Sequence, residues 1–111
     1  MNLSREQAIS EHRKMWNWIA DETDRLKRRV EKEEYFREMG ILDIPHMECY
    51  CCEFERYNPN CCEEHCIIDW GKGIGCTDSY YEKWIFIDGW QQSARLARII
   101  ANLPEREIDE N

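Results

Sequence analysis

Cysteine is absent from the first 48 residues and from the last 35, and proline occurs only three times. No apolar run approaches the roughly 18 residues that a bilayer span requires, which argues against a membrane helix. The opening segment, Met1 to Glu6, lacks the basic and apolar regions of a secretory signal, so a cytoplasmic protein is expected. Basic residues are in deficit too. Against 15 Lys and Arg stand 23 Asp and Glu, a formal charge of -8, the wrong sign for a protein that coats phosphates. Histidine is sparse and scattered, at 12, 46 and 65, and neither H-E-x-x-H nor the deaminase pairing of H-x-E with P-C-x-x-C occurs. An HNH-like nuclease would need several histidines beyond the first cysteine pair, where only His65 stands. A catalytic metal keeps an open position with a base beside it. With neither motif present, no catalytic residue is assigned and the chain is read as a non-enzyme.

What is present suffices for one core. Apolar residues make up 42% of 111, and 12% of the chain is aromatic, too many anchors for a disordered polymer. Ser4-Arg5-Glu6-Gln7 has the capping-box form, in which side chain and backbone satisfy each other at a helix start. At 100° per residue, Ala8, His12, Met15, Ile19, Leu26 and Val30 share one stripe, a core face of about seven turns. Beyond Val30 the phase is lost, and a bend or second short helix near Glu31 to Glu33 would restore it. Gly40 followed by Ile41 reads as a helix end. Capping-box forms recur at Ser79 to Glu82 and at Asp88 to Gln91, the second opening a helix that Pro104 ends. The expected fold is mainly α: a small single domain, 1–111, with a long N-terminal helix, a zinc-knuckle insert and a C-terminal helix. Its parts are a helical region 4–39, a cysteine segment 41–78, C-terminal helices 79–104 and a frayed tail 105–111.

All seven cysteines, at 49, 51, 52, 61, 62, 66 and 76, fall in that middle segment, which shows no sustained periodicity. Seven is odd, and about 6% falls short of the roughly 8–10% of a secreted disulfide scaffold. Clustered thiols in a reducing compartment are ligands for zinc, and four thiolates close a tetrahedron. Cys49 and Cys52 form the C-x2-C pair, and Cys66 is the clear member of the second pair. Its partner is Cys62 at C-x3-C or Cys61 at C-x4-C, with His65 a weaker candidate. The favoured set is Cys49, Cys52, Cys62 and Cys66, holding one structural Zn²⁺ and adding about two negative charges to the -8. Cys51, Cys61 and Cys76 read as small core residues, and His12 as a hydrogen-bonded core histidine.

The run His12 to Ala20, the segment Glu31 to Phe36, and Cys49-Tyr50-Cys51-Cys52-Glu53 with Cys66-Ile67-Ile68-Asp69-Trp70 extend over much of the chain. In these the sequence resembles a family of small, mostly uncharacterised, cysteine-rich zinc-binding proteins encoded by bacteriophages and prophages of Gram-positive bacteria. Its members carry a Trp-containing first helix and two cysteine pairs, the second C-x2-C. Here position 63 is Glu, so the second pair is displaced to Cys62 or Cys61. The resemblance lends no established activity. It implies a phage context, hence the cytoplasm of a host cell, where small acidic proteins act by binding host or defence machinery.

The function expected is therefore protein–protein interaction, as an inhibitor or modulator of a host or defence protein that binds nucleic acid. Direct nucleic-acid or membrane binding is not expected. Trp18, beside the core stripe, is the candidate anchor, and the acidic pairs Glu33–Glu34 and Glu63–Glu64 are candidates for steering. The last helix carries an apolar arc of about half its circumference, a second route to association, with another copy of the chain. The competing reading is a zinc-containing nucleic-acid-binding regulator using Arg25, Lys27, Arg28, Arg29 and Lys32, although carboxylates interleave with these.

Protein purified under reducing conditions should carry about one zinc per chain by elemental analysis. Cys49→Ser and Cys66→Ser should lose it, and Cys76→Ser should keep it. A severe effect at Cys76 with none at Cys62 would place the fourth ligand elsewhere.

Overall fold

A computed structural model describes residues 3–45, 48–54, 67–70 and 80–106. The first helix, α1 (Arg5–Leu26), starts at the Ser4 cap. The Gln7 amide donates to Ser4 Oγ at 3.1 Å and the Ser4 amide donates to Gln7 Oε1 at 2.8 Å, pairing two donors that a helix start would orphan. Its 22 residues form a rod about 33 Å long, burying Ala8, Ile9, His12, Met15, Trp16, Ile19, Ala20 and Thr23. The seven-turn stripe does not survive intact. Lys27 takes a left-handed conformation at φ 55°, which ends the helix and leaves Leu26 40% exposed. Val30 still reaches the core, but from the connecting loop and not along the helix.

The phase change after Val30 is a second helix, α2 (Lys32–Glu38), as expected. The Glu31 amide donates to Glu34 Oε2 at 2.8 Å at its start. At its end Gly40 adopts φ 65°, and two bonds close the turn: Gly40 N–H to Arg37 C=O at 3.2 Å and Ile41 N–H to Phe36 C=O at 2.9 Å. That pair is a Schellman motif, for which a residue without Cβ is the least strained choice. Three further helices appear among the described residues: α3 (Tyr50–Phe54), α4 (Tyr80–Phe86) and α5 (Trp90–Ala101). The chain is mainly α, and among the described residues no helix is long and apolar enough to cross a membrane.

Helix α1 packs against α5, α3 and α2, and α4 packs against α5. The face of α5 toward the core is narrow: Ser93, Ala94, Ala97, Ile100 and Ala101 are buried, and small side chains let helix axes approach closely. Around α1 the aromatic residues interlock edge to face. Trp84 of α4 stands 4.8 Å from Trp16 and nearly perpendicular to it, and Tyr81 is 6.0 Å from the same ring. On the other flank Tyr35 of α2 meets Trp18 at 5.5 Å.

Two details depart from the expectations. The cap of α5 is Gly89, at φ 94°, and not Asp88; the chain turns through a conformation open to glycine, so the helix begins one residue later. The tail does not fray from 105. Glu105 pairs with Arg5 at 2.8 Å, the Arg106 amide donates to Ile67 C=O at 2.8 Å, and the Asp69 amide donates to Pro104 C=O at 2.9 Å. Ile68 and Glu105 form the isolated antiparallel bridge of this tie. Ser79, residues 107–111 and most of the proposed knuckle lie outside the described residues.

Ala97→Leu should cost about 1–3 kcal/mol in urea unfolding, because the α1–α5 contact has no room for three more carbons. Arg95→Ala, on the exposed side of α5, should stay within about 0.5 kcal/mol. Glu34 offers a pH test. Its hydrogen bond from Arg28 holds the carboxyl below the usual carboxylate range. A carboxyl lowered in the folded state contributes stability above its unfolded pKa, about 4.3, and loses it as pH falls through the folded value. Glu34→Ala should therefore be destabilised at pH 7, and its deficit against the wild type should narrow in acid below about pH 4.

Candidate functional site

The first cysteine pair enters the described structure at α3. Cys49 precedes the helix and is half-buried, and its carbonyl accepts the Glu53 amide at 2.9 Å, the first hydrogen bond of that turn. Cys52 lies three residues on within α3, so the C-x2-C pair is carried on one tight helical turn. The side chain of Cys52, and Cys61, Cys62, His65, Cys66 and Cys76, lie outside the described residues. Among the described residues no three His, Cys, Asp or Glu side chains are grouped to hold a metal. Cys51 is 1% exposed and sits in the hydrophobic core, as its reading as a small core residue anticipated.

His12 sits where α1 meets these elements. It is 1% exposed, with the Trp70 ring edge-on at 6.1 Å and the Trp16 ring at 6.5 Å. Its Nε2 lies 3.4 Å from the Ile100 carbonyl oxygen, and since a carbonyl only accepts, Nε2 carries the hydrogen. The core reading thus holds for one ring nitrogen. The other, Nδ1, is buried without a hydrogen-bond partner among the described residues. Burial drives the His12 pKa from 6.5 down to about 4, against an upward pull from Cys49, so the ring is neutral at pH 7.

The basic stretch is internally neutralised. Arg25 pairs with Glu22, Arg28 with Glu34 at 2.8 Å, Arg29 with Glu31 at 2.7 Å and Arg37 with Glu33 at 3.9 Å. Arg29 also donates to the Trp84 and Ile85 carbonyls at 2.7 and 3.0 Å and lies 4.3 Å from the Trp84 ring centroid, fastening the α1–α2 loop to the end of α4. Lys32 is turned inward, its ammonium 4.3 Å from the Tyr81 ring and 5.8 Å from Trp16. Both cations line a cavity of about 320 Å³, but Glu31, Glu33 and Glu48 line it as well, so it offers phosphate no net attraction.

The interaction residues are distributed unevenly. Glu33 is exposed and pairs with Arg37, and Glu34 is spent on the start of α2 and on Arg28; Glu63 and Glu64 lie outside the described residues. Trp18 is half-buried against Tyr35, and Trp16 is buried, since α2 and α4 cover the two flanks of α1. The apolar arc of α5 is turned to α1 and α4, and its exposed positions, Gln91, Gln92, Arg95, Arg98 and Asn102, are polar. Sequence reasoning passed over apolar side chains that do face solvent: Leu42 at 97% exposure and Phe86 at 76%. Phe86 was legible. Two residues beyond core-facing Trp84, it lies about 200° round the wheel and must point away.

No family model, no curated protein and no solved structure matches this chain.

Neighbouring positions on α4 give a direct check of these placements. Phe86→Ser should leave stability within about 0.5 kcal/mol, whereas Trp84→Ala, which empties the contact with Trp16, should cost about 3–5 kcal/mol by urea unfolding.

Proposed function

We propose that this chain is a small acidic zinc-binding protein of phage type that acts by binding another protein. Its target is a host or defence protein with a basic groove made for nucleic acid, which the acidic surface occupies in place of phosphate. The observation that carries the reading is the charge arrangement: in a chain of -8, four arginines of residues 25–37 are each committed to a carboxylate. Little positive charge is left there to meet a nucleic-acid backbone, and exposed acids such as Glu38, Glu82 and Asp88 remain to steer association. One structural zinc, held by Cys49 and its partners in the cysteine segment, organises the surface that the helices do not. The chain does no chemistry on its target in this reading. Leu42 and Phe86 supply apolar contact within the acidic surround.

A tagged chain should capture a nucleic-acid-binding protein from cells carrying the phage. Capture should weaken as salt rises, because the attraction is between exposed charges. Purified protein should leave duplex and single-stranded nucleic acid unshifted at micromolar concentration in physiological salt. A clear shift there would replace this reading with the nucleic-acid-binding regulator.

A further inference from the structure

The cavity of about 320 Å³ that α2 and α4 share contains two charges that no other group in the described structure answers. Of the ionised side chains lining it, Arg29 and Glu31 cancel each other at 2.7 Å, and Glu33 faces Arg37 at 3.9 Å. Lys32 and Glu48 remain. Lys32 is only 8% exposed, yet among the described residues its ammonium meets no carboxylate and no hydrogen-bond acceptor; its contacts are the ring faces of Tyr81 at 4.3 Å and Trp16 at 5.8 Å. A ring face attracts a cation but leaves its three N–H donors without ordinary acceptors, and burying a charge in that state is costly. Glu48 is exposed and also makes no ion pair among the described residues, so the two opposite charges line one cavity without closing on each other. Tyr81, Trp84 and Ile85 give the same cavity an apolar lining, and its volume lies at the small end of the roughly 300–1,000 Å³ of ligand pockets.

We infer that this cavity is a binding site for a small zwitterion, an α-amino acid with an apolar side chain. The ligand's carboxylate meets the Lys32 ammonium, its ammonium meets the Glu48 carboxylate, and its side chain lies against Trp84 and Ile85. A dianion such as phosphate is opposed by the three carboxylates of the lining, and a simple cation by Lys32 and Arg29. A molecule carrying one charge of each sign escapes both penalties. Its binding would join α2 to α4 through side chains that already face a common space. The site is independent of the zinc and partner readings proposed above.

The test titrates the full chain with L-leucine and L-phenylalanine while NMR follows the ring protons of Tyr81 and Trp84. Those protons should shift and saturate at millimolar ligand or below. The N-acetyl derivatives, which lack the ammonium, and the amides, which lack the carboxylate, should each bind at least about 10-fold more weakly, the loss expected of a hydrogen bond between charged groups. Lys32→Gln should remove the advantage of the free amino acids over the amides. Glu48→Gln, at an exposed position, should remove their advantage over the N-acetyl forms and leave that over the amides, so it decides the matter even where Lys32→Gln folds poorly. Equal binding of free and N-acetylated forms to the unaltered protein would make this an anion site and overturn the inference. So would unshifted Tyr81 and Trp84 protons at millimolar ligand.

Discussion

Burial of α1 is the constraint on which the other described elements depend. An amphipathic helix of 22 residues with Trp16 on one flank and Trp18 on the other cannot be covered by a single neighbour. Coverage is therefore divided. The narrow, small-residue face of α5 lies along the central stripe, α4 brings Trp84 and Tyr81 onto Trp16, and α2 brings Tyr35 onto Trp18. Helices of seven or five residues are too short to hold their shape alone in water, so α2, α3 and α4 exist because α1 and α5 give them a surface. Two arginines extend this dependence beyond apolar contact: Arg29 binds carbonyls at the end of α4, and Arg98 of α5 bridges Asp21 and Asp24 on α1.

The parts of this fold that were legible in the sequence are those decided within a few residues. The Ser4–Gln7 capping box, the Gly40–Ile41 helix end and the second helix after Val30 all rest on local backbone donors and acceptors, and each stands as expected. Features decided by distant partners were not legible. Whether Trp16 is covered depends on a helix some 65 residues away, and whether Glu105 is held depends on Arg5. The break at Lys27 was missed because nothing in its side chain favours a left-handed conformation; the turn is imposed by the burial of Val30 and the packing of α2 beyond it. Of the candidate site, the C-x2-C pair could be found from spacing alone. His12 could be placed on the core stripe from periodicity, but its acceptor, the Ile100 carbonyl, could not be read because it lies 88 positions away.

Charge in this protein is sorted by sign into two kinds of work. Much of the positive charge is used internally: on carboxylates, on carbonyls at helix ends, and on the aromatic faces of Trp84 and Tyr81. Exposed ion pairs of this sort add little stability individually, so their main effect is to cancel the basic stretch as seen from outside. The acidic residues outnumber the cations that could meet them, and the excess defines the outer field. With 15 basic residues against 23 acidic, pairing removes charge of both signs equally and leaves the excess of eight acids in place.

The contact between α1 and α5 joins residues at nearly opposite ends of the described chain: His12 meets Ile100 across 88 positions, and Arg5 meets Glu105 across 100. Most small helical proteins assemble from neighbours in sequence and fold within microseconds to milliseconds, whereas here the central helix pair cannot form until a long loop has closed. For a flexible loop of that length the length-dependent closure cost is about 4 kcal/mol. The isolated bridge of Ile68 to Glu105 ties the middle of the chain to its end and shortens what must be closed. Any link between the middle and α1 would shorten it further. The chain should therefore fold slowly for its size and helical content.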